Sequence, residues 1–265
     1  MSKLNKIALA ACAWAVTAMP SAMAADLIPT VYQPAPVAPV VMSSWYLRGD
    51  IGFSNQEVDQ LDNELYDTVE SLDAVHRDFT GAPFVAGGIG YRWNKWFRTD
   101  ITGEYRSKSE FNGADIYTAF NGDGELVSRP DSYFAKKSEY VGLVNAYVDL
   151  GSWHGITPFV GAGVGGANVE ISSFTDIGVG VDGSPSIAYG DDHDEWNFAW
   201  AVHAGLAFEV TPEFTMELAY RYLDLGDGES GDLVAFDGTN NVDNPMEFED
   251  ITSHDVKVGF RYMFN

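Results

Sequence analysis

Charged residues recur two apart along this 265-residue chain, the spacing that puts side chains on one face of an extended strand. Arg48 and Asp50 make one such pair. Arg98, Asp100, Glu104 and Arg106 make a longer run, Glu217 and Arg221 another, and Asp255, Lys257 and Arg261 the last; Arg92, Glu139, Asp149 and Glu209 stand singly. A mixed-sign ladder of this kind suits ion pairing in a narrow space away from water, where an unpaired charge costs several kcal/mol. Catalysis asks for a different set: a nucleophile, a base and an acid that orients the base. The five histidines, His76, His154, His193, His203 and His254, are scattered. His203 stands beside the ladder, but no serine shares a dependable strand face with it, so no catalytic site is assigned and the chain is not read as an enzyme. Cys12 is the only cysteine and lies in a segment expected to be removed, which leaves neither a disulfide nor a thiolate.

The residues between the charges decide what kind of strand carries them. In "MELAYRYLDLG" (216–226), Met216, Leu218, Tyr220 and Tyr222 alternate with Glu217, Ala219, Arg221 and Leu223. Strict alternation is the period of a strand with two different environments. The same pattern recurs at 43–54, 82–93, 97–107, 138–150, 196–210 and 253–264, and more weakly at 157–169, where the second face is mostly glycine. That makes eight segments. The gaps after the second, fourth and sixth are short, whereas those after the first, third, fifth and seventh run about 25 to 30 residues each. A soluble sandwich has no reason to lengthen every second loop. An antiparallel barrel in an outer membrane does, with tight periplasmic turns, long extracellular loops and strands of about ten residues. The expected fold is therefore all-β: an eight-stranded antiparallel transmembrane β-barrel, its apolar face towards lipid and its charged ladder inside. Trp93, Trp96, Phe97, Trp153 and Phe214 at the short-turn ends, and Tyr105, Tyr140, Trp196 and Tyr222 near the long-loop ends, fit two interfacial girdles.

The start of the chain sets the compartment. Lys3 and Lys6, an apolar run from Ile7 to Ala18 and the small-residue pattern Ala22-Met23-Ala24 read as a signal peptide over 1–24. A lipoprotein reading of Leu9 to Cys12 leaves too little apolar core ahead of the cleavage point. Residues 25–42, with four prolines from Pro29 to Pro39, are expected to form a periplasmic linker, and 43–265 the barrel with four long acidic extracellular loops.

Those four gaps, 55–79, 108–137, 169–195 and 226–251, hold 28 acidic and 5 basic residues, nearly the whole net charge of −24. Such a surface repels nucleic acid. Beside anionic lipopolysaccharide it invites Ca²⁺ or Mg²⁺, and the candidate ligands are Asp191, Asp192, Asp194 and Glu195 in the third gap and Glu247, Glu249 and Asp250 in the fourth. "NGDGEL" and "DLGDGESGD" lack the full spacing of a calcium loop and read as solvated turns.

"GIGYRW", "GEYRS", "ELAYRYLDLG" and the closing "VKVGFRYMF" resemble the small outer-membrane β-barrel surface antigens, the group containing opacity proteins and porin-like antigens of alphaproteobacteria. The resemblance covers Ser43 to Phe264. It implies that the last strand carries the signal read by the outer-membrane insertion machinery, at Lys257, Gly259, Tyr262 and Phe264; Asn265 departs from the family's usual aromatic ending. It also implies hemin binding in some relatives, for which His76 or His193 would be the axial ligands here. No cofactor is assigned. An eight-stranded barrel has an interior that side chains can fill, so the expected role is a structural, surface-exposed barrel that contributes to envelope integrity and interacts through its loops. The expected partners are outer-membrane lipid, lipopolysaccharide and the insertion machinery. The alternatives are a porin-like channel for small solutes and a hemin-binding surface protein.

Overall fold

The computed structural model describes residues 44–240 and 242–264. The expected signal peptide and linker lie outside the described residues, as does Asn265. Twelve strands are formed: β1 (Ser44–Glu57), β2 (Gln60–Asp62), β3 (Ser71–Phe79), β4 (Ala82–Arg92), β5 (Phe97–Phe120), β6 (Leu126–Asp149), β7 (Ile156–Val179), β8 (Pro185–Gly190), β9 (His193–Glu209), β10 (Phe214–Glu229), β11 (Leu233–Ala235) and β12 (Glu247–Phe264), with one short 3₁₀ turn at Tyr66–Thr68. Among these residues no helix is long and apolar enough to cross a membrane.

Eight of the strands close a ring. β1, β4, β5, β6, β7, β9, β10 and β12 pair antiparallel in that order, and β12 returns to β1 with Trp45 opposite Phe264 and Gly49 opposite Phe260. These are the eight segments whose alternation is legible in the sequence. At one end the connections are tight: the Asn94 carboxamide oxygen accepts from the backbone of Trp96 and Phe97, both at 2.9 Å, and Val210 N donates to Phe214 O at 3.0 Å.

The second and third long gaps are mostly strand, whereas the first and fourth keep irregular stretches, at 63–70 in the first and at 236–240 and 242–246 in the fourth. β5 and β6 each run for 24 residues and are joined by a turn of five, and β7 also has 24. At about 3.3 Å per residue and a 45° tilt, such strands climb roughly 55 Å, about twice the height of the apolar band of an outer-membrane barrel. The barrel wall therefore continues past the membrane, with β3 laid against β5, β2 against β12, and β8 and β11 against β7 in turn.

The faces exchange character on the way up. In the lower part Leu47, Ile51, Val85, Ile101, Val144, Phe198 and Val256 are exposed while the charged set is buried. Higher up the interior is apolar, built from Phe79, Phe111, Tyr133, Phe174, Leu223, Phe248 and Ile251. A bulge between Arg106 and Ser109 resets β5: even-numbered residues point inward up to Arg106, and odd-numbered ones from Ser109 to Asp115. β7 does the same near Ser173, whose φ is 55°.

Candidate functional site

The lower interior is crossed by ion pairs at three levels. Nearest the tight turns, Glu217 of β10 takes Arg261 at 2.8 Å and Arg98 at 3.1 Å, and Arg98 also reaches Asp149 at 3.3 Å. Above it, Arg48 binds Asp50 at 2.8 Å and Asp100 at 2.7 Å, with the Lys257 ammonium 3.7 Å from Asp50. At the third level Arg106 pairs with Glu104 at 2.8 Å and Asp255 at 2.9 Å, and Arg221 pairs with the same two carboxylates at 2.7 and 2.5 Å. β5 and β10 are not neighbours in the ring, so the Arg221–Glu104 bond spans the lumen.

Aromatic rings fill what the charges leave. The Arg98 guanidinium lies 4.0 Å from the Tyr147 ring centre and 4.7 Å from that of Phe159, and Arg106 and Arg221 both stand over Phe84 at 5.1 Å. Tyr46 donates to Asp100 at 2.9 Å, and Arg48 donates to the Tyr147 hydroxyl at 2.9 Å. Glycine makes room: a Cβ on Gly161 would stand 2.4 Å from the Tyr147 ring, which accounts for the bare second face of β7.

Two predicted ladder residues stay apart. Arg92 is half-buried at the turn end and forms no ion pair among the described residues, and Glu209 is exposed beside the next turn. Conversely, Lys137 is fully buried and bonds Glu139 and Gln56. It stands two residues from Glu139 on the same face, a signal present in the sequence but hidden by placing Lys137 in a loop. His203 is buried with Nε2 3.2 Å from the Asn145 carboxamide oxygen and its ring 5.3 Å from that of Tyr147. Guanidinium–carboxylate pairing of this density brings opposite walls together, and a bridged lumen offers no wide path.

The acidic residues singled out for divalent cations separate into groups. Asp192 accepts from Ser173 N at 2.9 Å, and Asp194 from Asn168 at 2.8 Å. Asp191 uses its backbone carbonyl to accept from Gly231 N, and Asp250 N donates to Asp227. Burial and the neighbouring Glu229 raise the Glu195 carboxyl above the usual range. Glu247 and Glu249 come together with Asp62, which the sequence reading did not single out, all three offering oxygens within 4.8 Å of one another. Burial and then Glu229 and Asp62 raise the Glu247 carboxyl. Oxygens at that spacing can coordinate a hard cation, but these are at or near the surface, where diffuse counterions offset the same charge. His76 sits on β3 with Nδ1 3.5 Å from Asp78, and His193 opens β9; both are exposed.

In β12, Lys257 and Gly259 face inward, and a Cβ on Gly259 would stand 2.5 Å from the Asp50 carboxylate; Tyr262 and Phe264 face outward.

The sequence profile of the Outer membrane protein beta-barrel domain family matches residues 8–264. The chain belongs to this family. As a member it is an outer-membrane protein, and its exposed apolar band is the lipid-facing wall. A functionally uncharacterised protein of Brucella abortus is 29% identical over 94% of this chain and 95% of its own length. A candidate adhesin of Rickettsia typhi is 28% identical over 83% of this chain and 88% of its own. Among solved structures, the outer membrane protein OprG from Pseudomonas aeruginosa aligns over 85% of this chain and 97% of its own at 12% identity, with a TM-score of 0.49.

Proposed function

We propose that this family member is a surface-exposed structural barrel that contributes to envelope integrity and interacts with other surfaces through its extracellular half. The observation that carries this reading is the continuation of the barrel wall beyond the membrane, capping a lumen already crossed by the Arg221–Glu104 and Arg106–Asp255 pairs. A wall built so far out presents a large ordered surface, whereas a lumen bridged from side to side is poorly suited to bulk solute flow. The adhesin name of the Rickettsia typhi relative agrees with a surface role.

The test replaces residues 109–136 with a tight turn, which shortens the β5–β6 hairpin to the membrane band. Heat-modifiable gel mobility establishes that the variant barrel assembles. The reading expects reduced attachment of the cells to host-cell monolayers, or raised sensitivity to detergent, with unchanged uptake of small solutes. Impaired uptake with both surface properties intact would favour the porin-like alternative.

A further inference from the structure

The extracellular half encloses a cavity of about 540 Å³. Its wall mixes aromatic and aliphatic side chains, among them Tyr66, Tyr117, Tyr133 and Met246, with polar ones such as Asn63 and Asn244, and into it face two carboxylates, Asp131 of β6 and Asp176 of β7. A third, Asp115, stands directly opposite Asp131 in the β5–β6 register and is only 5% exposed. Tyr133 donates to the Asp115 Oδ2 at 2.8 Å, and Tyr66 approaches the same atom at 3.5 Å. The Asp115 Oδ1 is buried with no hydrogen-bond partner, whereas Asp131 and Asp176 lie close enough for one carboxyl to donate its proton to the other.

Two carboxylates in the wall of a tyrosine-lined cavity, with a third buried beside them, want positive charge, and among the described residues none of the three has an ion-pair partner within 4 Å. Arg129, which acts on Tyr117 and Asp182, directs Nε to the Gly180 carbonyl at 3.3 Å and Nη1 to that of Ser128 at 3.5 Å. Below the carboxylates the layer of Phe79, Phe111, Phe174 and Phe248 closes the floor. The pocket is therefore blind and suited to holding a ligand.

We propose that this cavity binds a small organic ammonium ion, its charged head against Asp131, Asp176 and Asp115 and its apolar body among the tyrosine rings. The wall chemistry selects this class over a metal ion. Calcium wants six to eight oxygens, and magnesium keeps most of its waters, whereas the two carboxylates of this wall share it with tyrosine, valine and methionine side chains that suit an organic body. Aromatic faces beside carboxylates attract alkylammonium groups by cation–π and Coulomb terms together. The strongly acidic exterior concentrates cations near the mouth. This inference goes beyond the surface role and does not depend on it.

Protonation competes with the ligand. Burial pushes Asp176 up to about 8, with the charge of Asp131, the hydrogen bond to it and then Asp115 adding to the rise; burial raises Asp131 to about 6 against the hydrogen bond from Asp176, with Asp115 adding to it. Asp115 is also raised by burial, against the hydrogen bonds from Tyr133 and Tyr66. Burial holds the Tyr66, Tyr117 and Tyr133 hydroxyls above their ordinary value, so they remain neutral donors. A cation must therefore displace at least one proton near neutrality, and binding tightens as pH rises.

The experiment is calorimetric titration of the full refolded protein in lipid nanodiscs with choline as the probe, at pH 8.5 and pH 5.5 and constant ionic strength. Expected are saturable binding at pH 8.5, roughly tenfold or more weakening at pH 5.5, and no saturable binding of the uncharged tert-butyl isostere of choline. Asp131→Asn/Asp176→Asn removes binding, whereas Asp62→Asn/Glu247→Gln, at the surface carboxylate group, leaves it intact; unboiled gel mobility establishes that each variant is folded. No saturable binding of choline by the wild type at pH 8.5 overturns the inference. Equal loss in both variants would make the attraction a diffuse counterion effect. Displacement of choline by equimolar Ca²⁺ would make the site a metal site, and either result overturns it as well.

Discussion

Arg106 shows how tightly the lower interior is bound together. It meets Glu104, Asp255 and, at 3.6 Å, Glu139, and its neighbour Arg221 depends on two of the same carboxylates. Removing one cation from such a set leaves buried carboxylates without compensation, which typically costs about 3–5 kcal/mol. Arg106→Ala is expected to lower the urea midpoint of the refolded barrel in lipid vesicles accordingly, read by loss of the fast-migrating unboiled band. Arg92→Ala, at a half-buried position with no ion pair among the described residues, should stay within about 0.5 kcal/mol of wild type. Similar losses in the two variants would mean that the interior network is not what the barrel depends on. Packing imposes a second kind of demand at Gly161. A methyl there meets both the Tyr147 ring and, at 2.8 Å, the Ala146 carbonyl oxygen. Gly161→Ala should destabilise by about 1–3 kcal/mol, and pairing it with Tyr147→Ala should recover none of the lost Arg98 stacking even as the clash with the ring disappears.

At the scale of elements, the upper strands of β5, β6 and β7 respond to pH in a way the lower ones have no reason to. Asp176 and Asp131 hold protons more tightly in the folded chain than at their ordinary value of 3.8. The stability they contribute is therefore complete below about pH 4 and is lost as pH rises through 6 towards 8. The surface carboxylates Asp182 and Asp237 and the half-buried Asp232 are lowered instead, by hydrogen bonds from Ser184, Thr239 and Asn244 respectively, and act only in the acid range. Hydrogen exchange over 108–137, corrected for intrinsic rates, should accordingly quicken between pH 5.5 and 8.5, and Asp131→Asn/Asp176→Asn should flatten the dependence. Identical corrected rates at both pH values in wild type would refute it. These same elements mark where the sequence stops being readable. The eight membrane strands are legible because lipid outside and ion pairs inside enforce one alternation, as in Met216 to Leu223. Above Arg106 the outer face turns from lipid to water and the inner face from charge to Phe111 and Tyr133, while the bulges at Arg106–Ser109 and Ser173 shift the parity. An alternation that inverts and slips within three residues looks like a loop. The ladder was legible for the same reason as the strands, whereas the Asp115–Asp131–Asp176 grouping depends on a cross-strand register that no local spacing records.

For the whole molecule, the stacking of two unlike barriers decides whether anything passes through. The lower barrier is electrostatic, a lumen crossed by guanidinium–carboxylate bonds; the upper is apolar, with Phe111 5.0 Å from both Phe79 and Phe248. The first is expected to hold back ions because guanidinium and carboxylate groups of opposite walls bond to each other across it, and the second because a carbon-lined constriction offers an ion no compensation for its hydration. Planar-bilayer recordings of the wild type are therefore expected to contain at most small, rare openings. The barriers act in series, so the variants are informative only in combination. Arg106→Ala/Arg221→Ala opens the lower level but leaves the aromatic layer, and Phe111→Ala/Phe248→Ala opens the upper but leaves the ion pairs; each alone should stay nearly silent. The fourfold variant, provided its unboiled mobility indicates a closed barrel, should conduct steadily. Steady conductance in the wild type would instead point to a route past both barriers and move the molecule to the solute-channel reading. Conductance in the arginine variant alone would place the whole seal in the ladder and would mean that the aromatic layer does not close the lumen.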